Sequence, residues 1–346
     1  MIVTLGNLYY YPLKFYVFVA SYLYFRKLRV IGRDNIPLKG PLIYAINHQN
    51  ALLDALLLSV ISWRNPHFLT RADVFDNKYV DTFLRGLKML PIYRIRDGYD
   101  SIKMNQAIFD TTKDILLRGG VVGIFPEGSH NLQYRVRPLK KGVARIAFLA
   151  EEASEFDLNL KIVPIGIQYE SHFFSKGRTL ISFGKPIRVA DFKYEFIKNQ
   201  NDGIEKLITA IRSGIKTLIL HFDKAEDYDQ TRKVYEQKRI YKRNLREQLD
   251  ADQALVDSIE NGSDFHEKSD RKNILLFALE NIWLLLWRVV SFVPKTIVDL
   301  IIKKTTRDPH FFATMRFAYS IFLYPIILLI LYYLVKYLVI YFMVQF

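Results

Sequence analysis

Four short islands hold the residues able to do chemistry. The first is Asn47-His48-Gln49-Asn50-Ala51-Leu52-Leu53-Asp54, directly after an apolar run at 42–46. An imidazole takes up a proton near neutral pH, and a carboxylate can fix its tautomer and stabilise the imidazolium. His48 with Asp54 is therefore the minimum for general-base catalysis. Six residues along a helix turn through about 600°, or 240° round the axis, so the two cannot share a helical face. They meet only if His48 stands in a loop and a helix begins near Asn50. The plainer account is a core histidine and a capping aspartate.

The second island runs from Arg85 to Gly98. A short strand ending in Arg94 and Arg96 would aim two guanidinium groups into a crevice, and such groups suit bidentate phosphate binding. A basic surface loop would have the same composition. The third is Phe125-Pro126-Glu127-Gly128-Ser129-His130, where Pro126 and Gly128 force a sharp turn and hold Glu127 at a strand end. An acidic group there can bind substrate hydroxyls. The fourth, Ile162-Val163-Pro164-Ile165-Gly166, reads as a buried strand whose proline, in isolation, signals an edge or a bulge.

The elements that must position these islands alternate between short β-like and helical runs. Strands are predicted at 42–46, 67–70, 90–93, 121–125, 162–169 and 180–183. Helices are predicted at 51–59, 101–118 and 142–150, the second ended by Gly119-Gly120. This order predicts an α/β domain over 30–221 with a mixed, largely parallel sheet flanked by helices. A histidine at the carboxyl end of such a strand sits where α/β sheets place functional groups. Residues 222–272 mix charges at helical spacing over 227–249 and predict a solvated helical spacer.

Lipid is expected at both ends of the 346-residue chain. Residues 317–335 carry no charge, between Arg316 and Lys336. Nineteen helical residues reach about 28 Å, close to the thickness of a hydrocarbon core, which predicts a membrane helix. The apolar segment 274–302 is broken by Glu280, Arg288, Lys295 and Asp299 and has basic residues on both flanks. The positive-inside tendency favours an interfacial or re-entrant element turned at Pro294, both flanks remaining in the cytosol. Residues 1–29 are rich in aromatics and edged by Lys14, Arg26, Lys27 and Arg29, as expected of a helix lying at headgroup level. They have no basic n-region or A-x-A-like site, so they make a poor signal peptide.

Composition narrows the classes. The chain is 50% apolar and 24% charged, which excludes a disordered protein. Its net charge of +14 calls for a polyanionic neighbour, such as anionic lipid or a phosphorylated substrate. Nucleic acid fits poorly, because no aromatic-basic RNA signature or zinc finger is present. The absence of cysteine removes disulfides, thiolate nucleophiles and iron–sulfur clusters, and the seven histidines show no H-x₃-H or H-E-x-x-H spacing. No metal site is expected.

Together and in this order, the four islands resemble the motif blocks of the glycerolipid (glycerophosphate) acyltransferase family: H-x₄-D, G-x-x-F-I-x-R, F-P-E-G-T/S and a strand with a central proline. The resemblance covers about residues 30–190. It implies acyl transfer from a thioester, acyl-CoA or acyl carrier protein, to a hydroxyl of a glycerol-phosphate acceptor, with no cofactor. It implies His48 as general base with Asp54 as partner, and Arg94 and Arg96 on the acceptor phosphate. Glu127, Gly128 and Ser129 would shape the acceptor glycerol site, and Pro164 would mark a wall of the acyl pocket. Two departures stand out: five residues separate His48 from Asp54, and His130 replaces the arginine often found after the E-G-T part. Both are similar to the subgroup typified by fungal glycerol-3-phosphate/dihydroxyacetone-phosphate acyltransferases. The expected location is a membrane, with the active site on its cytoplasmic face. The rivals are an acyltransferase or transacylase acting on another lyso-lipid, and a non-catalytic membrane tether.

Overall fold

The structure, a computed structural model, describes residues 2–93, 100–170, 177–224, 226–263, 265, 274–306 and 311–345. The chain opens with helix α1 (Ile2–Tyr24) and enters strand β1 (Lys27–Ile31), then β2 (Leu42–Ile46), α2 (Ala51–Ile61), β3 (His67–Arg71), α3 (Lys78–Gly86) and β4 (Met89–Ile92). It continues with α4 (Asp100–Leu117), β5 (Val121–Ile124), α5 (Gly142–Glu152), β6 (Lys161–Tyr169), β7 (Arg178–Phe183), the two-residue β8 (Ile187–Arg188), α6 (Lys193–Lys198) and α7 (Gln200–Lys216). Four helices close it: α8 (Tyr228–Lys238), α9 (Leu245–Asn261), α10 (Ile274–Thr305) and α11 (Phe312–Gln345).

The strands form one sheet in the order β1-β7-β6-β2-β5-β3-β4, with β8 beside β6. β2 to β6 run parallel to one another, while β7 and β8 pair antiparallel with β6, and β1 lies parallel to β7 on the edge. The sheet is thus mixed and largely parallel, as its alternating runs predict. β2 (Leu-Ile-Tyr-Ala-Ile) is buried throughout, which a strand covered on both faces requires. Tyr44 and Ile46 face a layer made by α1, α2 and the root of α11. Ile43 and Ala45 face the opposite layer, made by α4, α5 and α7.

Three expectations give way. β1 begins at Lys27, inside the segment assigned to the N-terminal helix. Its Lys-Leu-Arg-Val-Ile alternation buries Leu28 and turns Lys27 and Arg29 outward, the period-two pattern of an edge strand. Residues 222–263 are a packed layer, not a solvated spacer. Phe222, Tyr228, Tyr235, Leu249 and Val256 form a third core against Leu180 of β7. Arg239 of this layer grips Asp252 at 2.8 Å, and Gln248 accepts from Arg178 of β7 at 3.1 Å. Finally, α10 passes through Pro294 without turning. A proline removes one hydrogen bond of the ladder, and the rest of this helix is held by α11, where Arg316 meets Asp299 at 2.8 Å and Lys295 braces Asp299 at 2.7 Å.

Among the described residues, one helix is long and apolar enough to cross a membrane, at Phe312–Tyr341. Its first turns pack on α1, with Phe317 buried against Tyr24 at 5.0 Å between ring centroids. From Phe322 onward many of its apolar side chains are exposed, Ile326, Leu329, Ile330 and Tyr332 among them, as are those on the outer faces of α1 and α10.

Candidate active site

The crossover from β2 lays α2 on one face of the sheet, while the crossover from β5 lays α5 on the other. β2 and β5 are neighbours whose connections leave on opposite faces, which makes the point between their carboxyl ends the switch point at which α/β sheets form the crevice that takes ligands. His48 leaves β2 and Phe125–Glu127 leaves β5 at this point.

α2 begins at Ala51 with Asn50 as its N-cap, so His48 stands in the loop and Asp54 in the first turn. That meets the condition the spacing imposes, and the two side chains approach to 2.9 Å between Nδ1 of His48 and Oδ2 of Asp54. Asp54 is 0% exposed and His48 15%. A buried carboxylate needs donors, and four converge here. Oδ2 accepts from His48 Nδ1 and from the backbone N–H of Gln49 (2.9 Å) and Asn50 (2.8 Å), while Oδ1 accepts from the Tyr169 hydroxyl (2.8 Å). Burial, with the Asp54 carboxylate beside it, pushes the Tyr169 phenol well above its ordinary range, so it remains a donor. Because the carboxylate only accepts, Nδ1 of His48 carries the proton and Nε2 is left with a lone pair.

The loop is clamped from both sides. The Asn47 side chain donates to the Ile167 carbonyl (3.0 Å) and accepts from the Ile167 N–H (2.7 Å), which extends the β2–β6 ladder past the end of β2. The His48 N–H donates to Glu127 Oε1 (3.3 Å), its carbonyl accepts from Asn131 N–H (3.0 Å), and its ring stacks on Phe125 at 4.2 Å. His130 meets the ring edge-on at 5.7 Å.

Gly128 takes φ +74°, which favours glycine, and turns the chain so that Glu127 points back to His48. The structure gives Glu127 a different task from an open ligand for substrate hydroxyls. One oxygen is taken by the His48 amide, and the other accepts from Arg137 Nε at 2.8 Å. Burial pushes its carboxyl up, and Arg137 offsets part of that. Arg137 also donates to the Ser129 hydroxyl (2.9 Å) and the Ser129 carbonyl, so Glu127, Ser129 and Arg137 form one knot at the exposed 128–129 turn.

Pro164 does not line this crevice. It pairs with Ala45 in register, and its ring packs under Gly214 of α7, on the sheet face opposite α2. Its missing N–H falls where β7 has ended and β8 has not begun; its carbonyl there accepts from Gly184. Pro164 instead lines a separate cavity with Phe183, Gly184 and Gly214. Arg94 and Arg96 lie outside the described residues; Tyr93, just past β4, is anchored by Asn105 through its N–H (2.9 Å) and carbonyl (2.7 Å). Among the described residues no group of three or more His, Asp or Glu is placed to hold a metal ion.

Part of the chain is similar to known proteins. Residues 27–168 match the family model described as Acyltransferase. The 1-acyl-sn-glycerol-3-phosphate acyltransferase of Bacillus subtilis (strain 168) is 28% identical over 171 residues, 48% of this chain and 77% of that protein. Glycerol-3-phosphate O-acyltransferase 1 of Saccharomyces cerevisiae is 28% identical over 143 residues, 40% of this chain but only 18% of the yeast protein. The crystal structure of the 1-acyl-sn-glycerophosphate (LPA) acyltransferase PlsC from Thermotoga maritima aligns with a TM-score of 0.35 at 20% identity, over 52% of this chain and 72% of that one. Residues 27–168 are thus similar to acyltransferases, and the chain spans less than a fifth of the yeast relative's length.

Proposed function

We propose that the protein is a membrane-bound O-acyltransferase of phospholipid biosynthesis. It moves a fatty acyl group from acyl-CoA or acyl carrier protein to a hydroxyl of glycerol-3-phosphate or 1-acylglycerol-3-phosphate, without a cofactor. The observation that carries this reading is the His48–Asp54 pair, protonated at Nδ1 and basic at Nε2, at the mouth of the β2/β5 crevice. The names of the bacterial and yeast relatives support the two acceptors.

In the reaction, Nε2 of His48 takes the proton of the acceptor hydroxyl as its oxygen attacks the thioester carbonyl. The C–O bond forms, the tetrahedral intermediate collapses with loss of the C–S bond, and the imidazolium returns its proton to the departing thiolate. Asp54 stabilises the imidazolium throughout. Arg94 and Arg96, which follow Tyr93 in sequence, hold the acceptor phosphate, and the 128–129 turn shapes the glycerol site. An acyl chain and a lipid product favour an enzyme lying on the bilayer. The apolar outer faces of α1 and α11, the basic residues around them and the +14 charge support a seat on the anionic cytoplasmic leaflet.

The test offers glycerol-3-phosphate, dihydroxyacetone phosphate, lysophosphatidate and other lyso-lipids side by side with acyl-CoA and acyl carrier protein, in membranes containing the full chain. Thioester-dependent acylation of a glycerol phosphate is expected, falling by ~10²–10⁴-fold in His48→Ala while the protein stays folded and membrane-bound. Activity in that variant within a few-fold of the parent would remove the mechanism.

A further inference from the structure

α2 carries Asp54 in its first turn, where the Leu53 N–H bonds back to the Asn50 carbonyl at 2.9 Å. The Asn50 side chain makes no capping bond to the helix, and Ala51 sits at φ +41°, a left-handed conformation that is strained for any residue with a side chain. The side-chain cap comes from 261 positions away, as a second acceptor for the same N–H. Thr314, in the first turn of α11, accepts from the Leu53 N–H (3.3 Å) and donates to the Asn50 carbonyl (2.8 Å), and it is buried. Leu53 is the third residue of α2, the position whose N–H an N-cap side chain ordinarily satisfies.

The same turn of α11 reaches the other half of the pair. Phe311 meets the His130 ring at 4.8 Å, and His130 meets the His48 ring at 5.7 Å. One turn thus touches Asp54's helix through a hydroxyl and His48 through an aromatic chain. Beyond that turn, α11 is the helix that is long and apolar enough to cross a membrane.

We propose that Thr314 is a positioning residue for the His48–Asp54 pair, capping α2 in trans, so that the root of the candidate membrane helix is part of the catalytic apparatus. This rests on the acyltransferase reading of that pair. Its effect is on the orientation of the base, so it belongs to kcat and not to substrate affinity.

Thr314→Val removes the hydroxyl at nearly constant volume, and Thr314→Ser keeps it. Losing a cap of this kind corresponds to about a 10-fold fall in kcat. The valine variant is expected to show that fall with both KM values within about 2-fold of the parent, and serine to restore kcat to within ~3-fold. In an Asp54→Asn background the valine change is expected to cost less than it does alone, because residues acting through one group are not additive. Amide hydrogen exchange over residues 49–54 provides a readout independent of turnover. It is expected to quicken in the valine variant and recover in the serine variant. If the parent acylates none of the offered acceptors, the functional reading fails, while the exchange comparison still decides the trans cap. Unchanged exchange at 49–54 in the valine variant overturns the proposal. So does a kcat per folded molecule within 2-fold of the parent, or a serine variant as slow as the valine one.

Discussion

Replacing Asp54 by asparagine separates the two things its carboxylate does, and the structure dictates the outcome. Oδ2 receives three N–H donors, from His48, Gln49 and Asn50, whereas Oδ1 receives only the Tyr169 hydroxyl, which can rotate and accept instead. The asparagine oxygen is therefore driven to the Oδ2 position and its NH₂ to the Oδ1 position. His48 keeps its proton on Nδ1 and its lone pair on Nε2; only the negative charge is lost. A charged hydrogen bond exceeds a neutral one by ~1–2 kcal/mol. Coulomb attraction at ~4 Å and an effective dielectric of ~20 sets a ceiling of about 4 kcal/mol. At 1.36 kcal/mol per decade, these bracket a fall in kcat of about 10- to 10³-fold. Asp54→Asn should thus lie above His48→Ala in activity, with KM values little changed. The assay is release of CoA thiol by a disulfide dye, free of background from a chain that has no cysteine. An asparagine variant as dead as His48→Ala, at unchanged circular dichroism, would refute the argument that the backbone donors orient the amide. One within 2-fold of the parent would refute a role for the charge in the transition state.

Arg94→Ala should raise the acceptor KM several-fold and leave the acyl-donor KM unchanged; the reverse split in steady-state kinetics would reassign the arginine to the donor. Arg137→Ala strands the buried Glu127 carboxylate and loosens the 128–129 turn, a loss of about 1–3 kcal/mol that should lower the thermal midpoint. Adding Glu127→Gln should recover part of it, and failure to recover would show that the Glu127–Arg137 pairing is not what the variant lost. His221 supplies a pH signature. Its Nδ1 accepts from the Val136 N–H at 2.9 Å, and burial pushes the imidazole down to about 4. Below about 6.5 the unfolded chain binds a proton that the folded one refuses, so stability falls as pH drops from 6.5 toward 4, by up to ~3 kcal/mol. The thermal midpoint should decline across that window, and His221→Gln, which can still accept from Val136, should flatten the decline. An equal decline in both proteins would assign it elsewhere.

The parts of the fold written locally were the legible ones. Strands β2, β5 and β6 announce themselves as short apolar runs because both of their faces are buried, and a central strand has no other option. β1 is harder, since an edge strand buries only alternate residues and its Lys27 and Arg29 look like the basic border of a membrane helix. The layer formed by α8 and α9 was misread for a related reason. Its charges sit at helical spacing and suggest a solvated helix, but Arg239 and Asp252, thirteen residues apart, find one another only once α8 and α9 have packed over β7. The face that Pro164 takes was not legible either. A residue's face depends on the register with its neighbour strand, here Ala45 opposite Pro164, and nothing local sets that register.

The site divides along the same line. His48 and Asp54 lie six apart, so helical arithmetic alone could require a loop, then a helix start at Asn50, and α2 obeys it. What holds the pair comes from far away in sequence: Tyr169 on β6, Asn47's clamp on Ile167, and Thr314 on α11. No spacing rule could link Thr314 to the start of α2, because its bonds to Asn50 and Leu53 exist only after α11 has packed across α1 and α2. Yet one signal was present. Gln49-Asn50-Ala51 offers a helix start whose cap makes no side-chain bond to the helix and whose first residue is strained. Such a start persists only when another element completes it. That element is also, among the described residues, the one helix long and apolar enough to cross a membrane, so the proposed support for the base and the candidate span share one helix.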